Sequence, residues 1–183
     1  MAALHPWAKI LPFPRVLSER FDRPLGLCWG GFDFLHAGHI FHFEFAKGHV
    51  RTLLVAINAD EAFPPKGPGR PFLSESRRLR AIAAVVFVDV VTVYRGCYLD
   101  PASAAGTIHG RARSTPFVPL EIITRVRPEY YFKGIEYESQ HIPERALVEA
   151  SGGTIVFGPR EPILSSSRLL LELGADPLVG RDP

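Results

Sequence analysis

From residue 25 onward, short apolar runs alternate with longer stretches of helical patterning. Residues 25–29, 52–57, 88–93, 130–132 and 154–157 are rich in β-branched or aromatic side chains and are bounded by Gly, Asn, Asp or Pro. Apolar residues at odd and even positions alike mark strands covered on both faces. Between and after them, 37–47, 74–85, 119–126, 143–151 and 165–173 read as helices, with Pro143 suited to a first turn and Gly152-Gly153 to a stop. The alternation predicts an α/β fold in which five parallel strands, joined by right-handed crossovers, form the middle of three layers. In such a sheet a ligand is met beyond the carboxyl ends of the strands, so the residues that leave each strand matter most.

Two segments break the rhythm. Residues 1–24 carry Pro6, Pro12, Pro14 and Pro24 and read as an N-terminal extension; the domain proper is expected over 25–175, with a tail at 176–183. Residues 95–115 form an insertion too long for an ordinary connection.

Composition narrows the function classes. At 183 residues, 46% hydrophobic and 22% charged, the chain has material for one core and too much aliphatic content for a disordered chain. A net charge of +2, from 21 basic and 19 acidic residues, provides no broad field for a nucleic-acid polymer or an anionic membrane. Any phosphate must therefore be met locally. No apolar run approaches the ~20 residues of a membrane span, and the first 24 residues lack the pattern of a secretory signal. Two cysteines, Cys28 and Cys97, are too few for a disulfide framework, so a reducing cytoplasm is expected.

The sharpest chemical signal is Gly30-Gly31-Phe32-Asp33-Phe34-Leu35-His36-Ala37-Gly38-His39, directly after the first predicted strand and running into a helix. A helix start offers unpaired N–H groups and the positive end of the dipole, a ready site for phosphate. His36 and His39, three apart, share one face of that first turn, and Gly38 between them leaves room for an anion near the backbone. His36, His39 and His42 recur every third residue, but no Cys or carboxylate completes a tetrahedral set, so no metal ligands are assigned. His42 is expected to have no catalytic part.

The stretch resembles the HxGH signature of the cytidylyltransferase-like nucleotidyltransferases, and further motifs follow in order over roughly 24–173. Asn58-Ala59-Asp60-Glu61 is similar to the family's strand-end Asn-Ser-Asp. Lys66 to Arg70 and the Arg78 of the next helix resemble heptose-phosphate adenylyltransferases, as do Lys133-Gly134-Ile135-Glu136-Tyr137 and the run Ser165-Ser166-Ser167 after Arg160. The resemblance implies a Rossmann-like fold of the HxGH nucleotidyltransferase type and transfer of AMP from ATP to a sugar phosphate such as a heptose 1-phosphate, with Mg²⁺ carried mainly by the nucleotide phosphates. Separately, Phe41, Phe43 and Phe45 alternate within one predicted helix, and an exposed aromatic face there would fit a homodimer, a thick buried helix being the alternative.

On this resemblance His36, His39 and Lys47 are the expected catalytic residues. Gly30, Gly31, Phe32, Asp33, Gly38, Lys133, Gly134, Arg160, Ser165, Ser166 and Ser167 are expected at the nucleotide, with Asp33 orienting the loop or the Mg²⁺. Asn58, Asp60, Lys66, Arg70, Arg78, Glu136 and Tyr137 are expected at the acceptor. Ile135 and Glu136 stand where the family has Gly and Asp, and serines replace threonines in the last motif, so a changed acceptor stays open. The alternatives are a cytidylyltransferase using CTP and a polyol phosphate or phosphonate, and a non-catalytic nucleotide-binding module.

Overall fold

A computed structural model describes residues 7–62, 71–96, 98–99, 107–108 and 118–159. In chain order the elements are strand β1 (Lys9–Ile10), helix α1 (Phe13–Val16), β2 (Leu25–Gly30), α2 (Ala37–Lys47), β3 (Thr52–Asn58), α3 (Glu75–Ala83), β4 (Val90–Tyr94), β5 (Tyr98–Leu99), β6 (Thr107–Ile108), β7 (Val118–Pro119), a single π-turn (Ile122–Val126), β8 (Tyr130–Lys133), a 3₁₀ turn (Ile135–Tyr137), α4 (Arg145–Ala150) and β9 (Thr154–Phe157).

The main sheet is six-stranded in the order β1-β4-β3-β2-β8-β9, and every pairing in it is parallel. All five expected strands are present, β3 being buried at each of its seven positions. The sixth strand corrects the expected count. Lys9 and Ile10 pair with Val90 and Val91, while Ala8, Leu11, Phe13 and Val16 are buried. The segment expected to stand outside the domain thus closes one sheet edge, and its prolines fall beside the strand rather than within it.

Alternation along β3 separates the two faces. Leu54 and Ala56 join Phe13, Val16, Ile122, Ile123 and Val148 on one side; Leu53, Val55 and Ile57 join Phe43, Ala46, Ile82 and Ala83 on the other. Thus α2 and α3 cover one face, while α1, the π-turn and α4 cover the opposite one, giving the three layers. Within the expected insertion, β5 and β6 form an antiparallel sheet with β7, in the order β6-β5-β7. Pro119 lies in β7, at that sheet's edge, where a missing N–H is tolerated. The expected helix at 165–173 lies outside the described residues.

Chain order reverses between β2 and β8. From β2 the chain builds outward through β3 and β4, then returns to lay β8 and β9 against the free side of β2. Cys28 pairs with Phe132, so the loop after Gly30 and the turn after Lys133 leave the same end of the sheet at neighbouring positions. Such a reversal opens the crevice in which α/β sheets receive ligands.

Candidate active site

The loop between β2 and α2 is held in an unusual shape by its aromatic residues. Phe32 and Phe34 both have positive φ, 48° and 67°, a conformation disfavoured for side chains of this size and concentrated at functional loops. The Phe32 ring lies against Phe43 of the core, at 5.3 Å, and meets His39 edge-on at 5.2 Å. Phe34 packs on Phe72, also at 5.3 Å. A Cβ at Gly30 would come within 3.3 Å of the Phe32 ring, so the glycine makes the space that ring occupies.

His36 is the residue before α2, extended at φ −138°, and His39 is in its first turn. Their rings stack at 3.8 Å and 26°, and the His36 backbone N–H donates to His39 Nδ1 at 3.4 Å. The His36 Nδ1 is buried, and the two histidines reach toward each other's backbone in the manner of a capping box. Burial lowers the His36 pKa, with the charge of Glu136 acting in opposition.

Lys133 ends β8, its side chain 13% exposed. Its Nζ lies 4.6 Å from the centre of the Tyr137 ring and donates to Glu144 Oε1 at 3.0 Å. Gly134 follows, and the Glu136 carboxyl folds back to within 2.2–2.4 Å of where a Cβ there would stand. The Tyr137 hydroxyl is raised in pKa, first by burial, then by Glu136 and Glu144. His42, one turn beyond His39, lies near this side as well: a Cβ on Gly158 would be 2.7 Å from its Nδ1. Burial first, then the charge of Lys133, pushes its imidazole down to about 4. Sequence reasoning set His42 aside and overlooked Glu144; the every-third-residue histidine spacing was the available signal for the former.

Three residues expected at the site have structural partners. Asp33 is buried, and its two carboxylate oxygens accept the backbone N–H groups of Phe72 and Leu73 at 2.9 and 3.0 Å. It orients the loop, as one of the two expectations had it, but by tying it to the segment before α3. Arg78, expected at a substrate phosphate, is 1% exposed and donates to the carbonyls of Gly31, Asn58 and Leu73 and to Asp60 Oδ1 at 2.6–2.9 Å. It joins three chain segments rather than presenting its guanidinium to the crevice.

Lys47 is not brought to the histidine pair at all. It lies eight residues beyond His39 on a helix running back along the sheet, about 12 Å at 1.5 Å per residue. Its Nζ instead bonds Asp89 Oδ2 at 2.6 Å and the Arg51 carbonyl at 2.7 Å, and Asp89 also accepts from Leu53 N at the amino end of β3.

Asp60 exchanges hydrogen bonds with Glu75: its carboxylate takes the Glu75 N–H at 2.8 Å, and Glu75 Oε2 takes the Asp60 N–H at 3.0 Å. Arg95 pairs with Glu61 at 2.6 Å and with Glu75 on the outer side. Asn58 is buried at the end of β3, with no partner for Oδ1 among the described residues. Lys66, Arg70, Arg160, Ser165, Ser166 and Ser167 lie outside the described residues.

The comparisons agree with this geometry. The cytidylyltransferase-like family profile matches residues 27–167. The heptose 1-phosphate adenylyltransferase of Bordetella bronchiseptica is 32% identical over 157 residues, covering 85% of each chain. The bifunctional protein HldE of Desulfatibacillum aliphaticivorans is 31% identical over 172 residues, 91% of this chain; the chain spans only about a third of that relative, 31% of its length. Among solved structures, pantothenate synthetase of Thermus thermophilus superposes with a TM-score of 0.58 over 88% of this chain and 67% of its own, at 14% identity, a likeness of fold.

Proposed function

This chain belongs to the cytidylyltransferase-like family, and from that premise we propose that it is a nucleotidyltransferase moving AMP from ATP to a heptose 1-phosphate or a similar sugar phosphate, with release of pyrophosphate. The observation that carries the reading is the placing, at the reversal of strand order, of the stacked His36 and His39 after β2 and of Lys133 and Glu136 at the end of the neighbouring β8. The adenylyltransferase relative, matched over most of both chains, favours ATP over CTP.

In the reaction an acceptor phosphate oxygen forms a bond to the α-phosphorus as the bond to the β-phosphate oxygen breaks, and the electron pair leaves with pyrophosphate. The protein's work is to position the two anions and stabilise the charge that builds up between them. His36 and His39, at the start of α2, donate to the α- and β-phosphates beside the helix N–H groups. Lys133 supplies a positive charge from the opposite side. Mg²⁺ comes with the triphosphate, which it screens; Asp33 is occupied by two backbone amides, and the described residues contain no cluster of three acidic, His or Cys side chains fit to cage a metal.

The setting we infer is cytoplasmic; among the described residues no helix is long and apolar enough to cross a membrane. Phe41 of α2 is 45% exposed, and a homodimer, to be tested by the mass of the particle in solution, would cover such a residue.

The test is pyrophosphate release with ATP or CTP, each paired with heptose 1-phosphate or glycerol 3-phosphate. Turnover is expected with ATP and the heptose phosphate, and His36→Ala and His39→Ala should each lower kcat ~10²-fold or more while melting as the parent does. Parent-like rates in both variants would remove the histidines from the mechanism.

A further inference from the structure

One buried acidic residue touches the site from outside the motifs. Glu144 precedes α4 and is 3% exposed, carried inward together with the buried Ile142. Its Oε1 receives two donors: Lys133 Nζ at 3.0 Å and the hydroxyl of the fully buried Tyr131 at 3.4 Å. Oε2 is buried too, with no hydrogen-bond partner among the described residues.

A lysine at a strand end ordinarily swings on a four-carbon stem. This one is confined between the Tyr137 ring at 4.6 Å, the Tyr131 ring at 5.9 Å and the Glu144 carboxylate. Glu144 is the counter-charge within ion-pair distance of the ammonium, and in so dry a place an ammonium without one is strongly disfavoured.

We propose that Glu144 is a positioning residue: it holds the Lys133 ammonium at the carboxyl end of β8, across the strand reversal from His36 and His39, where a nucleotide phosphate arrives. The inference rests on the nucleotidyltransferase reading of the site. It predicts that Glu144 affects the reaction only through Lys133.

The experiment compares the parent with E144Q, K133M and the double variant, measuring kcat and KM for ATP in the transfer assay, Mg²⁺–ATP affinity by calorimetry, and melting. E144Q keeps the size of the side chain but removes its charge. Its kcat/KM should fall about tenfold, K133M should fall at least as far, and the double variant should be no slower than K133M alone. E144D, which keeps the charge one methylene back, should recover part of the loss, and it carries the comparison should E144Q fail to fold.

Parent-like activity in E144Q, or a double variant whose loss is the product of the two single losses, would overturn the proposal. Tighter ATP binding by E144Q would do so as well, by making Glu144 a competitor for Lys133. A parent protein that binds Mg²⁺–ATP but transfers nothing would remove the acceptor reading instead, and the same pattern would then be sought in the four affinities.

Discussion

The two sides of the crevice are built on opposite principles. On the β3 side, Asp33, Asp60, Glu75 and Arg78 are polar groups bound to one another and to backbone atoms, so charged residues there do the work of a core. On the β8 side, Glu136 is exposed, Tyr137 is 39% exposed, Glu144 has one oxygen without a partner among the described residues, and Lys133 hangs on a single carboxylate. One bank is stiffened by its charges; the other keeps them close to where an anion would come. A charged side chain in a motif is therefore no guide to function until its hydrogen-bond partners are known.

The sharpest way to break this contrast is Arg78→Met, which takes a donor from three carbonyls and leaves Asp60 with the Glu75 N–H but no counter-charge from Arg78. A loss of about 3–5 kcal/mol is expected by denaturant unfolding. A stable variant with only a raised KM would move Arg78 from scaffold to substrate. Asp33→Asn keeps one acceptor for two amides and should cost about 1–3 kcal/mol, again read by unfolding, with the ATP KM little changed.

On the β8 side, His42 gives a pH dependence. Its imidazole titrates near 6.5 when unfolded and about 4 when folded, so between those values the unfolded chain takes up a proton that the folded one refuses. Its penalty is absent above that window and grows as pH falls through it, reaching about 1–3 kcal/mol. His42→Gln should flatten that part of the stability curve; parallel curves for variant and parent would show that the imidazole is not held neutral. The smallest effect belongs to Lys47→Met. With both partners of the Lys47–Asp89 pair partly exposed, stability should change by less than about 1 kcal/mol and turnover by less than twofold. A hundredfold loss of turnover would return Lys47 to the reaction.

Five strands and the histidine turn were legible because their signals are local: runs buried on both faces, and a glycine-rich turn between strand and helix. β1 was hidden because two paired residues have no periodicity, and prolines around them mask it. The distance of Lys47 from the histidine pair follows from helix geometry, since a helix returning from the carboxyl end of a strand carries its last turn to the opposite end of the sheet. The anchoring of Arg78 and Asp33 was hidden for another reason. Their partners are mostly backbone atoms, up to 47 positions away, and main-chain groups have no letters in a sequence. Glu144 gave no signal because an acid ahead of a helix ordinarily answers the helix dipole.

The strand at the sheet edge has a consequence for how the molecule is made. Lys9 finds its place beside Val90, 81 positions later, so β1 leaves the ribosome early and waits until β4 has emerged. Meanwhile Trp7 and the apolar residues that follow it have no surface to join. Pro12 and Pro14 beside β1 limit how far a helix or strand can extend from this segment alone, so its place is set by β4 rather than by its own pattern.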